Sequence, residues 1–186
     1  AFARAKLPGM DYHQFKNWRL YIVSIHGVGD CREEIKIDDD GYWPSWGDDG
    51  ALYYAQVDED GEGEHTRIVR AVLDEQGRVL DRTVFFSTRE AFAEVPKINE
   101  TFVSPDGSWF AARTRGGGDL TGVAAFGIDP PRAELLARAG DVGCMPYVSP
   151  DSTWGMAAGR DHGIRWGQAP GAADRVQDQE LIPPRG

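Results

Sequence analysis

Carboxylates are the most abundant side chains of this protein that could do chemistry. Where they stand at alternating positions, they could hold a metal ion. The segment Asp58–Glu62 places Asp58, Asp60 and Glu62 at every second position, and oxygen ligands of this kind suit Ca²⁺. The segment lacks the Glu that an EF-hand loop carries at its twelfth position, where Val69 stands. We therefore favour a solvated acidic loop over a Ca²⁺ site, and we interpret the run Asp38–Asp40 in the same way.

The four histidines are scattered, and no two of them have a spacing typical of a zinc or copper site. Arg160, Asp161 and His162 are adjacent, so that an acid stands beside an imidazole as a general base requires. A polar turn is the simpler interpretation of these three residues. The sequence also lacks a nucleophile elbow, and the glycine run 116–118 has no phosphate-binding Lys. We predict no catalytic group and no cofactor.

Composition narrows the class of protein further. The chain has 186 residues, 41% of them hydrophobic, and a formal net charge of -10, which suits a globular protein and disfavours binding to nucleic acid. No apolar run is long enough for a transmembrane helix. The two cysteines, Cys31 and Cys144, are predicted at opposite ends of their strands, so we expect no disulfide between them.

A short turn pattern recurs at intervals of roughly fifty residues, which is typical of repeat architectures. Its copies are 46–50 (Trp-Gly-Asp-Asp-Gly), 103–107 (Val-Ser-Pro-Asp-Gly) and 148–152 (Val-Ser-Pro-Asp-Ser). Pro presets φ, Asp accepts local hydrogen bonds and Gly tolerates the turn exit. Each copy is flanked by short apolar runs, so each predicts a β-hairpin.

The runs between the turns group into blocks of four strands, labelled A to D. Two blocks are complete, at roughly 42–94 and 100–140, and a last block has A, B and a short C at 164–167. The first block shows C and D clearly, and Ala1–Ala5 resembles a strand B that has no strand A before it. Ala133–Arg138 is either a strand D or one to two helical turns after Pro130-Pro131. The predicted organisation is an N-terminal segment at 1–17, blades at 18–168 and an extended tail at 169–186.

The turns in 102–107, 147–151 and, more loosely, 44–50 resemble the WD-like β-propeller repeats of the TolB type. The resemblance covers about 18–168. It implies an all-β, propeller-like fold of about three to four four-stranded blades, and a periplasmic or extracellular bacterial location. Propellers usually close with about 4–8 blades. We therefore expect an incomplete propeller or one completed by another chain, with a self-contained four-bladed ring as the alternative.

Blade topology predicts where function lies, because the B–C and D–A loops share one end of the strands. We expect a ligand or partner to bind at that end, through Trp43, Lys97, Arg115, Arg160, Asp161 and His162. Trp43 could stack on a sugar or an aromatic group, whereas Trp46 is expected to pack between blades like Trp109 and Trp154. The predicted function is a non-catalytic binding or scaffold subunit with protein partners. The alternative is a segment of a propeller hydrolase, lyase or metal-dependent oxidoreductase that uses the same end.

Overall fold

A computed structural model describes residues 1–6, 17–25, 31–59, 64–91, 97–115, 121–138, 142–159 and 164–170 of the chain. Most of these residues lie in β-strands, and the only helix among them is a single short turn. In chain order the elements are β1 (Phe2–Ala5), β2 (Trp18–Ile25), β3 (Cys31–Asp38), β4 (Gly41–Trp46), β5 (Leu52–Glu59), β6 (Glu64–Leu73), β7 (Val79–Ser87), α1 (Thr88–Ala91), β8 (Lys97–Val103), β9 (Trp109–Arg115), β10 (Gly122–Gly127), β11 (Arg132–Arg138), β12 (Val142–Val148), β13 (Trp154–Gly159) and β14 (Ile164–Gln168).

Consecutive strands pair antiparallel into separate sheets of three or four strands. We call them sheet I (β1–β3), sheet II (β4–β7), sheet III (β8–β11) and sheet IV (β12–β14). The predicted all-β, blade-like fold is therefore confirmed. The helical alternative for Ala133–Arg138 is wrong. This segment belongs to β11 and pairs with β10, since two isolated helical turns are marginal in water whereas a strand gains hydrogen bonds from its neighbour.

The sheets pack on one another in chain order, I on II, II on III and III on IV. The first strand of each later sheet, here called its inner strand, makes most of these contacts: β4 packs on β1 and β2, β8 on β4, β5 and β6, and β12 on β8, β9 and β10. In addition, β11 packs on β13 and β14. Among the described elements no comparable packing joins sheet IV to sheet I, so the stack is unclosed.

Strands in the middle of the stack are buried on both faces because they have a sheet on either side. In β9, Trp109 and Ala111 pack in the cluster shared with sheet IV, whereas Phe110 and Ala112 pack in the cluster shared with sheet II. This alternation follows from the two-residue period of a strand. It explains why the first four residues of β9, Trp109–Ala112, form a continuous apolar run rather than an alternating one.

The three predicted hairpin turns share one geometry. In each, an Asp carboxylate accepts a hydrogen bond from the N–H two residues later, and the residue after the Asp has a positive φ. The aspartates are Asp49, Asp106 and Asp151, and the positive-φ residues are Gly50 (74°), Gly107 (70°) and Ser152 (59°). The left-handed region favours Gly, so Ser152 is held there against its own preference.

Each turn also bonds to the next turn along the chain, in an arrangement that we call the turn relay. The N–H of Asp48 donates to the carbonyl of Pro105 at 2.8 Å. The N–H of Asp106 donates to Ser152 Oγ at 3.1 Å, and Trp109 Nε1–H donates to the Ser152 carbonyl at 2.8 Å. The two bonds to Ser152 hold its left-handed backbone in place.

Candidate functional site

The end of the sheets that carries the β3–β4, β5–β6, β7–β8 and β9–β10 connections, here called the loop end, was predicted to bind a ligand or partner. Trp43 lies in β4 near this end. Lys97 begins β8 and is paired in register with Arg115, the last residue of β9. Arg160, Asp161 and His162 lie outside the described residues. The predicted set is therefore placed only in part, and its acid–imidazole pair stays a prediction.

Backbone geometry singles out Trp43 within the predicted set. Its φ is +50°, and the register between β4 and β5 shifts between Tyr42 and Ser45, as at a β-bulge. The Trp43 side chain is 39% exposed, and its carbonyl accepts a hydrogen bond from Thr101 Oγ1 at 3.4 Å. A bulky residue in the left-handed region costs on the order of 1–3 kcal/mol and is found mostly at functional sites. This cost marks Trp43 as a binding candidate.

The inner strand of sheet III repeats this bulge at the equivalent position. Glu100 has φ +51°, and the register between β8 and β9 shifts between Asn99 and Phe102. Counted back from the turns, Trp43 stands four residues before Gly47, and Glu100 stands four residues before Ser104. Sheets II and III therefore share the bulge but place different chemistry on it.

Glu100 forms an ion pair within its own sheet. Arg113 Nη1 lies 3.2 Å from Glu100 Oε1, and the carboxylate is more buried than the guanidinium. Beside them, Asn99 is 1% exposed, and its Oδ1 has no hydrogen-bond partner among the described residues. A buried acceptor without a partner is rare in native structures. The exposed Trp43 indole can stack on a ligand, and the Glu100–Arg113 ion pair can hydrogen-bond one, but these groups include no nucleophile–base pair.

The carboxylates of the run Asp38–Asp40, which the sequence predicts as a solvated acidic loop, form ion pairs with basic residues, two of which are distant in sequence. Lys6 Nζ lies 2.5 Å from Asp40 Oδ1, and Arg19 Nε and Lys36 Nζ each lie 3.1 Å from Asp39 Oδ1. The hydrogen bond from Lys36, helped by the nearby positive charges, lowers the pKa of Asp39. These pairs are exposed and contribute little stability each, but they leave the carboxylates poorly suited to a cation.

Asp38 has a structural role on the side of the core. It accepts a hydrogen bond from Tyr54 Oη at 2.6 Å, and Arg82 Nε lies 3.8 Å from the same carboxylate oxygen. Burial and, after it, the bond to Asp38 raise the pKa of the Tyr54 hydroxyl well above its usual range. The phenol therefore stays protonated and anchors the β3–β4 connection to sheet II.

The candidate Ca²⁺ ligands lie only partly among the described residues. Asp58 lies in β5 and pairs in register with His65 of β6, while Asp60 and Glu62 lie outside the described residues. Within the described ranges no group of three or more His, Cys, Asp or Glu residues is arranged to hold a metal ion. Neither finding tests the loop itself.

The expectation for Trp46 is wrong. Its side chain is 48% exposed, because it ends β4 directly before the turn, whereas Trp109 is almost fully buried. Leu52, the first residue of β5, takes in sheet II the buried position that Trp109, the first residue of β9, has in sheet III. Sequence reasoning also missed the bulge at Glu100, for which the only available signal was its fixed distance from the turn.

Comparisons with known proteins add no family to these observations. Neither the family models nor the curated proteins contain a match to this chain. In the part of the chain that the structure describes, no helix has the length and hydropathy needed to cross a membrane.

Proposed function

We propose that this chain is a non-catalytic binding or scaffold subunit of the WD-like, TolB-type propeller class that works within a larger protein assembly. The observation that supports the proposal best is the incomplete pair of outer sheets. Sheets II and III each have four strands, but sheets I and IV have three each among the described residues. A protein chain at these edges would continue the sheets, and folded proteins rarely leave extended edges uncovered.

The loop end supplies the contact surface in this proposal. Trp43 offers an exposed indole on a bulged inner strand, and aromatic residues are enriched at the centres of protein interfaces. The formal charge of -10 favours a partner with a basic surface. A periplasmic or extracellular location belongs to the same proposal and rests on the resemblance of the turns alone.

Light scattering after size-exclusion chromatography tests the proposal at several concentrations of the isolated chain. We expect self-association above the 20.5 kDa of one chain, or loss of the folded state on dilution, because the edges of sheets I and IV that no described strand covers can pair with strands of other chains. A monodisperse monomer that unfolds cooperatively and stays soluble would refute the proposal.

Two tryptophan variants locate the contact. Trp43→Ala at the loop end should lower the assembled fraction at a fixed concentration. Trp46→Ala is the matched control, because its indole is also exposed and lies on the same strand but at the opposite end. Equal effects of the two substitutions would remove the loop end from the proposal.

A further inference from the structure

Among the described strands β1 forms one edge of sheet I, and the hydrogen-bond pattern shows which of its residues direct their backbone groups outward. Lys6 N–H donates to the Asn17 carbonyl at 2.7 Å, one step beyond the Ala5–Trp18 pair. In an antiparallel ladder, residues alternate between pairs that exchange hydrogen bonds and pairs that do not. Lys6, Arg4 and Phe2 therefore direct their backbone groups to β2. Ala3 and Ala5 direct theirs away from β2, and no described strand pairs with that edge.

The other sheets show what occupies the equivalent edge. In sheet II, β4 pairs antiparallel with β5, and in sheet III, β8 pairs antiparallel with β9. The contacts of β4 with β1 and β2 match those of β12 with β9 and β10, so β1 corresponds to β5 and β9. Sheet I thus lacks, among the described residues, the strand that corresponds to β4 and β8.

We propose that the β1 edge binds an extended segment of another polypeptide, which adds antiparallel to β1 through the backbone groups of Ala3 and Ala5. The proposal rests on the proposed function, since it names the kind of partner that completes the subunit. Backbone pairing of this type gives affinity, while alternate side chains give specificity. The bound segment would meet β4, which already packs on β1 and β2.

The repeat also specifies the chemistry of the segment. The strands β4 and β8 each lead into an Asp-containing turn, and the turn relay runs from each turn to the next. Asp48 has in the first turn the position that Pro105 has in the second turn. A bound segment that ends in such a turn would therefore place an N–H donor beside Asp48. The donor position of that turn must be a residue other than proline, as Asp48 is in the first turn, so the expected ligand is a strand-forming peptide that continues into a Gly-Asp-Asp-Gly turn.

A peptide with the sequence of residues 41–51, which contains β4 and its turn, is the probe for this edge. Fluorescence anisotropy of the labelled peptide against the full chain should show saturable binding, and a scrambled peptide should not bind. Hydrogen exchange of the full chain should slow at Ala3 and Ala5 when the peptide is present. Unchanged exchange at both amides would overturn the proposal even if the peptide binds elsewhere.

Substitutions at the edge provide the matched control. Ala5→Pro removes an N–H that faces the edge while it leaves the β2-facing groups of Arg4 and Lys6 in place, and proline is tolerated on edge strands. Ala5→Ser keeps that N–H. We expect Ala5→Pro to weaken peptide binding at least tenfold and Ala5→Ser to change it less than twofold. Equal affinities for the two variants would refute the assignment of the edge.

The outcomes separate this inference from the proposed function. If the chain assembles but the peptide neither binds nor competes with assembly, the β1 edge is not the contact and the scaffold proposal stands. If the peptide binds to a chain that is otherwise a stable monomer, the edge is a peptide site and the scaffold proposal fails. Competition that releases monomers would identify a second copy of this chain as the strand donor.

Discussion

Ser152 allows the cost of a left-handed backbone to be separated from the value of a hydrogen bond. Its φ is +59°, its side chain is almost completely buried, and its Oγ accepts a hydrogen bond from Asp106 N–H at 3.1 Å. Ser152→Ala removes the acceptor and keeps a Cβ. Losing this part-buried hydrogen bond should destabilise the chain by about 0.5–1.5 kcal/mol. Ser152→Gly loses the same bond but also removes the Cβ that makes the left-handed region unfavourable.

The difference between the two variants isolates the backbone contribution. Relief of left-handed strain is worth about 1–2 kcal/mol, and the greater freedom of Gly in the unfolded chain offsets about 0.4–1 kcal/mol of it. Ser152→Gly should therefore be more stable than Ser152→Ala by about 1 kcal/mol. Urea unfolding followed by tryptophan fluorescence measures this difference, provided that the slopes of the transitions agree.

Ser108 provides the control for this experiment. It also bonds to a turn aspartate through its hydroxyl, but its φ is not in the left-handed region. At Ser108 the Ala variant should be the more stable one, because Gly gains nothing in the folded state. If Ala is more stable than Gly at Ser152 as well, the strain that we assign to this turn does not exist.

Three further results are expected from the packing and the turn carboxylates. Gly155→Ala should destabilise the chain by about 1–3 kcal/mol in the same urea assay, because the added Cβ would stand 2.9 Å from Trp109 Cη2; an unchanged midpoint would contradict the packing of sheet III on sheet IV. Phe110→Ala should cost about 3–5 kcal/mol, since the ring is fully buried and stacks on another ring at 4.9 Å; a loss below about 1 kcal/mol would contradict this. Burial acts to raise the pKa of Asp106, but the hydrogen bonds that the carboxylate accepts outweigh burial, so the pKa is lowered. The ionised carboxylate therefore stabilises the fold at any pH above the ordinary Asp pKa of about 4. This stabilisation is lost as the pH falls through the lower pKa of the folded state. The urea midpoint of wild type should thus fall as the pH drops below about 4, and Asp106→Asn should flatten the fall; parallel curves would exclude Asp106 as a source.

The turns and most strands could be predicted from the sequence because their determinants are local. Asp106, Gly107 and their neighbours specify a turn within five residues, and the apolar runs on either side can pair only with each other. Strand β11 was ambiguous because it lacks such local determinants. Its seven residues carry no local preference strong enough to decide, and the available edge of β10 determines the result.

The candidate site was less predictable because it depends on relations between strands. The left-handed φ of Trp43 and Glu100 arises from the register of an inner strand against its neighbour. No residue near them in the sequence indicates this register. The neutralisation of Asp40 by Lys6 joins residues 34 positions apart. Trp46 was assigned to the core from its residue type, although its place at the end of β4 exposes it.

The turn relay makes the repeats unequal and couples residues that belong to different repeats. Asp48 donates its N–H to Pro105, but Pro105 has no N–H to pass on, so the next donor is Asp106 and its acceptor is the Ser152 hydroxyl. A proline in one turn is thus matched by a serine in the following turn. Exchanging or duplicating whole repeats would separate such matched residues, so evolution or engineering of this chain by repeat shuffling would have to change neighbouring turns together.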